Sequence, residues 1–175
     1  MRTDNKNIIS IEQEKTTSTI NEIKQKETLV YDANENLVVE NKNQKIFLFG
    51  GGDKEIKLLN QLQNQHENVI VLAGKLKFKQ ELDVISNLDT MLSMDSGNAH
   101  IAAMLGVKVI TLWGATHPYA GFMGWKQLPV NTVQLDLSCR PCSVYGQKPC
   151  WRGDYACLRD IKPEQVIAKI EGIVG

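Results

Sequence analysis

The sequence lacks a charge imbalance, a long apolar run, and the common short signatures of nucleotide and metal chemistry. Its 175 residues carry 20 Lys and Arg against 20 Asp and Glu. With no net positive charge there is no electrostatic footprint for a phosphate backbone, and no nucleic acid partner is expected. No apolar run approaches the roughly 20 residues that a membrane-spanning helix needs. The start, Met1-Arg2-Thr3-Asp4, has no apolar core followed by a small-residue cleavage site. No secretory leader is therefore expected, and a cytoplasmic setting is the default. His66, His100 and His117 are too far apart for an HExxH-type pair, so nothing supports a zinc hydrolase. No catalytic metal and no cofactor is expected.

Two further absences divide the chain. Residues 1–44 contain neither Gly nor Pro and are rich in Asn, Lys, Glu, Gln and Thr. Such a composition buries little surface by itself, so this stretch is expected to be a peripheral arm, with a helix over "STINEIKQKE" (18–27) and a strand at "NLVVE" (36–40). Cysteine is absent until Cys139, after which Cys142, Cys150 and Cys157 follow.

Residues 45–175 have a regular pattern. Short apolar runs, "KIFLFGGGD", "NVIVLAG", "TMLSM", "VKVITLWG" and "NTVQLDL", alternate with helical stretches. The first helix shows apolar Ile56, Leu58, Leu59 and Leu62, and the second a stripe of Leu82, Ile85 and Leu88. "NAHIAAMLG" closes at Gly106, and a last helix opens at Pro163, a favoured first helical position. Strands alternating with helices predict a Rossmann-like α/β domain, with a parallel sheet buried on two faces. Ligands of such sheets bind beyond the carboxyl ends of the strands. Here those ends read "GGGD", "AGK", "DSGN" and "GATHP".

Asp95-Ser96-Gly97 with His100 admits two readings. Either Asp or Ser suits a helix N-cap, worth about 1 kcal/mol, and Gly97 eases the turn. A cap alone has no use for His100, which lies one turn beyond Ser96 on the same face. An anion bound at the helix N-terminus would engage both the free N–H groups and that imidazole. The loop "LFGGGDKE" adds three glycines, Gly51 and Gly52 among them, where backbone could approach a ligand, and Glu55, a carboxylate suited to a vicinal diol such as ribose. It has neither G-x-G-x-x-G spacing nor a Gly-Lys-Ser/Thr, and its plain reading is a flexible turn with a helix-dipole Glu. In "WGATHPYAGFMGW", Thr116, His117 and Tyr119 are polar groups near Trp113, Phe122 and Trp125. That loop suits a nucleotide-sugar, or packing on the sheet edge or against a partner, including a second copy through residues 113–125.

The cysteine segment, Cys139-x2-Cys142-x7-Cys150-x6-Cys157, also holds Trp151, Arg152, Asp154 and Tyr155. Zinc, one disulfide, and free thiols all remain open. The second pair is too widely spaced for a standard zinc ribbon.

The stretch "MDSGNAHIAAMLGVKVITLWGATHP" resembles the carboxyl-terminal domain of glycosyltransferase family 9, the ADP-heptose:lipopolysaccharide heptosyltransferases. The tail "CRPCSVYGQKPCWRGDYACLRDIKPEQV" is similar to that family's Cys-bearing ending. The resemblance covers residues 45–175 and implies the second half of a GT-B enzyme, two Rossmann-like domains facing across a cleft. It implies a nucleotide-diphosphate sugar (ADP-heptose-like) as donor and a lipopolysaccharide-type acceptor in the complete enzyme. It also implies a place at the inner membrane face. Asp95, Ser96, Gly97 and His100 would line the diphosphate pocket, with Thr116 beside it. Glu55 would meet the ribose, with Gly51 and Gly52 close. Transfer in the family inverts the anomeric centre, a carboxylate base deprotonating the acceptor. No residue of this chain is assigned as that base. The amino-terminal domain that carries it, and the usual phosphate-binding Lys, have no match in residues 1–44. The expectation is a nucleotide-binding half with little or no transferase activity alone. A non-catalytic partner-binding module that retains the fold is the alternative.

Overall fold

Runs of Val, Ile and Leu, each cut off by Gly, Asp or Asn, set the strand positions, and amphipathic stretches between them set the helices. The computed structural model describes residues 26–31, 37–63 and 66–174. Strands β1 (Lys26–Tyr31) and β2 (Leu37–Gln44) pair as a two-stranded sheet. Of the strand expected at 36–40, residues 37–40 are part of β2, and position 36 lies outside the described residues. The helix expected over 18–27 lies outside the described residues up to position 25, and Lys26 and Glu27 belong to β1. The chain divides into two compact units, one holding Asn41–Asn87 and the other Leu88–Gly175 with Leu29–Glu40.

In the first unit, β3 (Ile46–Leu48), α1 (Asp53–Gln63), β4 (Val69–Val71) and α2 (Phe78–Ile85) follow in order. β3 and β4 are parallel, with Ile46 opposite Val69 and Leu48 opposite Val71. The core here comes from Val69, Val71, Val84 and Ile85, each fully buried aliphatic worth about 1.5–3 kcal/mol. The stripe predicted for α2 is shifted. Val84 is fully buried, while Leu88 lies beyond the helix and is half-buried. The cause is local: Ser86 Oγ and Asn87 Nδ2 both donate to the Asp83 carbonyl, and the helix stops there. α1 buries no residue completely. Ile56, Leu59 and Leu62 are half-buried and Leu58 is 47% exposed, a narrower apolar face than expected.

The second unit is built on three parallel strands in the order β5 (Thr90–Ser93), β6 (Lys108–Trp113), β7 (Thr132–Gln134). Parallel neighbours need a crossover, and α3 (Gly97–Met104) provides it between β5 and β6. Its buried residues are Ala99, Ala102 and Ala103, small enough for helix and sheet to approach closely. No α-helix joins β6 to β7. That loop contains two short 3-10 turns, Pro118–Ala120 and Pro129–Asn131. Gln127 continues the ladder where β7 does not reach, donating from Nε2 to the Val107 carbonyl (3.0 Å) and accepting from Val109 N–H (2.7 Å). The helical turn α4 (Ala156–Arg159) and helix α5 (Pro163–Val174) complete the unit.

Alternate residues of β6 serve opposite faces. Ile110, with Leu112 beside it, packs with Val133 of β7 and Val166 and Ile170 of α5. On the other face Trp113 is buried, and its indole N–H donates to Thr111 Oγ1 at 2.8 Å. Trp113 is therefore core and not part of the exposed aromatic loop. That loop's outward residues are Tyr119 and Trp125. β6 meets the expectation of two buried faces, but β5 does not, since Leu92 is 43% exposed. The result is the expected α/β class, parallel sheets with flanking helices. Among the described residues no helix is long and apolar enough to cross a membrane.

Candidate functional site

Two strand-to-helix turns carry most of the residues singled out from the sequence. In the second unit, β5 ends at Ser93 and α3 begins at Gly97. Ser96 is the N-cap, with extended backbone, and its Oγ accepts from Ala99 N–H at 3.3 Å. Ser93 Oγ lies 2.8 Å from Ser96 Oγ and steadies the cap, a contact the sequence reading did not anticipate. The first N–H groups of a helix have no intrahelical partner. Ser96 takes that of Ala99, and those of Gly97 and Asn98 remain for a ligand or water. A Cβ built on Gly97 would meet nothing within 4 Å, and its backbone is outside the left-handed region. Neither packing nor conformation requires glycine there.

His100 stands one turn into α3, half-exposed, with Nε2 at 3.7 Å from Asp95 Oδ1. The two groups form an ion pair whenever the imidazole is protonated. Asp95, Ser96, Gly97 and His100 therefore do meet at one helix start. Thr116 belongs to the loop after β6, whose strand is the parallel neighbour of β5 with Ser93 opposite Thr111. Both loops thus leave the same carboxyl edge of this sheet. His117 caps the 3-10 turn that follows, its Nδ1 accepting from Tyr119 N–H at 3.2 Å.

The other turn lies in the first unit, between β3 and α1. Glu55 Oε2 accepts from Gly51 N–H at 2.8 Å, so the carboxylate folds back over its own loop. A Cβ on Gly51 would meet nothing, whereas one on Gly50 would lie 2.8 Å from Glu55 Cδ. Gly50, one of the three loop glycines, is the one that makes room for Glu55. Gly52 has φ +82°, which explains that residue conformationally.

Arg140 is a residue that sequence reasoning missed, its signal hidden between two cysteines in Cys139-Arg140-Pro141-Cys142. Half-buried, it donates from Nε to the Gly114 carbonyl and from Nη1 to that of Leu135. Nη2 donates to the Thr116 carbonyl (3.0 Å) and to Gln134 Oε1 (3.1 Å). Burial lowers its pKa from the ordinary guanidinium value, opposed by the potential of the Cys157, Cys139 and Cys142 thiols and of Asp136.

All four cysteines are free thiols, Cys157 buried and the rest half-buried. Among the described residues no three His, Cys, Asp or Glu side chains are grouped to hold a metal ion. Burial raises the Cys157 thiol, while backbone N–H groups, that of Tyr155 foremost, lower Cys150. Arg152 and Asp154 pair at 2.7 Å on the surface, and Asp154 Oδ1 accepts from Ala156 N–H at the start of α4.

The match to known proteins covers the same ground. Residues 35–150 fit the family model for glycosyltransferase family 9 (heptosyltransferase). The chain is 32% identical over 133 residues to lipooligosaccharide heptosyltransferase 2 of Campylobacter jejuni, covering 74% of this chain and 41% of that protein. Among solved structures, the family 9 glycosyl transferase of Veillonella parvula superposes with a TM-score of 0.57 at 22% identity, covering 74% of this chain and 36% of that one. The Escherichia coli ADP-heptose lps heptosyltransferase II gives 0.57 at 20%, covering 75% and 37%. The chain thus spans well under half the length of these relatives.

Proposed function

The chain belongs to glycosyltransferase family 9, and we propose that it is the part of a heptosyltransferase-like enzyme that binds the nucleotide-diphosphate sugar. The observation that carries this reading is the start of α3. A glycine that neither packing nor backbone requires leaves open space beside the helix N–H groups, with His100 on the same side. A diphosphate there would be held by the N–H groups of Gly97 and Asn98, by the helix dipole, and by the imidazole. Thr116, at the same sheet edge, would supply a hydroxyl. In a transfer reaction those donors stabilise the charge that develops on the departing diphosphate. The donor would be ADP-heptose-like and the acceptor of lipopolysaccharide type, as the names of the relatives suggest. No described residue is assigned as the base for the acceptor, so the chain alone should turn over little or no substrate.

A second reading, a partner-binding module that keeps the fold, draws on the exposed side chains of Tyr119, Trp125, Leu128 and Val130 in one loop. Calorimetric titration with ADP, UDP, GDP and CMP of the wild type and of His100→Ala separates the two. Selective ADP binding that the substitution weakens by roughly tenfold or more, the usual worth of a charged hydrogen bond, is the expected result. No binding by any of the four at millimolar concentration would refute the nucleotide-site reading.

A further inference from the structure

Three consecutive carbonyls follow β6, and the cysteine segment takes all three. Gly114 accepts from Arg140 Nε, Ala115 from the backbone N–H of Cys142 (2.9 Å), and Thr116 from Arg140 Nη2 (3.0 Å). The same guanidinium reaches Leu135 and Gln134 at the end of β7, tying together the carboxyl ends of two neighbouring strands. Other contacts close the loop in. A Cβ on Gly146 would lie 3.3 Å from Thr116 Cγ2, and one on Gly114 would lie 2.6 Å from Leu158 Cγ.

A strand-end carbonyl is a partial negative charge. Three of them left unpaired at this edge would repel an anionic ligand and would let the loop choose among conformations. A planar guanidinium can hold several carbonyls at fixed relative positions, which a lysine cannot. We infer that Arg140 is a positioning residue: with Cys142 N–H it clamps Gly114–Thr116, so that the Thr116 edge is preformed for a diphosphate ligand. Arg140 acts through the loop and does not touch the ligand. The ligand class rests on the proposed function above, while the clamp itself does not.

The test uses the full chain, with ADP as probe, in four forms: wild type, Arg140→Ala, Arg140→Lys, and Val166→Ala as a control that loosens the core away from the loop. Affinity is read by calorimetry and the loop by hydrogen exchange at the Cys142 amide. The expected result is that Arg140→Ala weakens ADP binding by roughly tenfold or more, with faster exchange at Cys142. Arg140→Lys should fall between it and the wild type, and Val166→Ala should retain wild-type affinity despite lower thermal stability. ADP binding by Arg140→Ala equal to wild type would overturn the inference. So would weakened binding with unchanged Cys142 exchange, or equal weakening in Val166→Ala. If wild type does not bind ADP, the proposed function falls and exchange alone decides. Faster Cys142 exchange in Arg140→Ala and not in Val166→Ala sustains the clamp, and unchanged exchange removes it.

Discussion

The turns β3–α1 and β5–α3 are built from the same parts, an apolar strand, a glycine-bearing loop and a helix, but they are secured differently. In the first, a carboxylate on the helix reaches back to Gly51 N–H, and the helix it belongs to buries no residue completely. In the second, the serine before the helix caps it from below, and three alanines anchor the helix to its sheet. One turn is thus held by a flexible, exposed side chain and the other by a short hydroxyl on a rigid base. Rigid elements position a binding group more precisely than mobile ones, which gives the β5–α3 turn the stronger claim to the diphosphate.

The largest test of that contrast lies in the packing beneath each turn. Ile110 is fully buried in the cluster with Val133, Val166 and Ile170. Ile110→Ala should destabilise the second unit by about 2–5 kcal/mol. Leu58→Ala on α1, where the side chain is 47% exposed, should cost no more than about 0.5 kcal/mol. Urea unfolding of both variants measures the difference. Equal losses would mean that α1 is anchored as firmly as the second unit's core.

At the turns themselves the effects are smaller. Ser96→Ala removes the acceptor for Ala99 N–H and the partner of Ser93 Oγ, and should cost about 1 kcal/mol. Glu55→Ala removes one exposed bond to Gly51 N–H, which water replaces, and should cost only a few tenths of a kcal/mol, as exposed substitutions usually do. Thermal unfolding of the two variants orders them. A larger loss for Glu55→Ala would reverse the comparison.

Much of this architecture was legible in the sequence because it rests on local signals. Strand and helix positions follow from short apolar runs and their breakers, and Ser96 reads as a cap from its place before "GNAHIAAM". What was not legible depends on distant partners. Trp113 looked like the first residue of an aromatic loop, but a hydroxyl two residues earlier on the same strand face satisfies its indole N–H, so the ring can be buried. Leu88 fitted a helical stripe, but the Asp83 carbonyl draws in Ser86 and Asn87 and ends the helix before it. Arg140 was hidden by its neighbours. Its partners Gly114 and Thr116 lie 26 and 24 residues away, and no local pattern announces a side chain whose work is to hold main-chain carbonyls.

The smallest effect on stability should accompany one of the clearest effects on binding. Gly97 and Gly51 are the two turn glycines that neither a left-handed backbone nor a crowded Cβ requires. Replacing Gly97 by Ala puts a methyl group at the first residue of α3, where it fits. The substitution should leave stability unchanged or raise it by up to about 1 kcal/mol, because alanine loses less backbone entropy on folding. The same methyl would stand in the space proposed for the diphosphate, so ADP affinity should fall by roughly tenfold. Gly51→Ala should be as neutral for stability, since a Cβ there meets nothing and its backbone is outside the left-handed region. Unfolding and calorimetry on the same preparations separate the two quantities. A Gly97→Ala protein that is equally stable and binds ADP as the wild type does would leave Asp95-Ser96-Gly97 with a structural role only, a helix cap with no ligand above it.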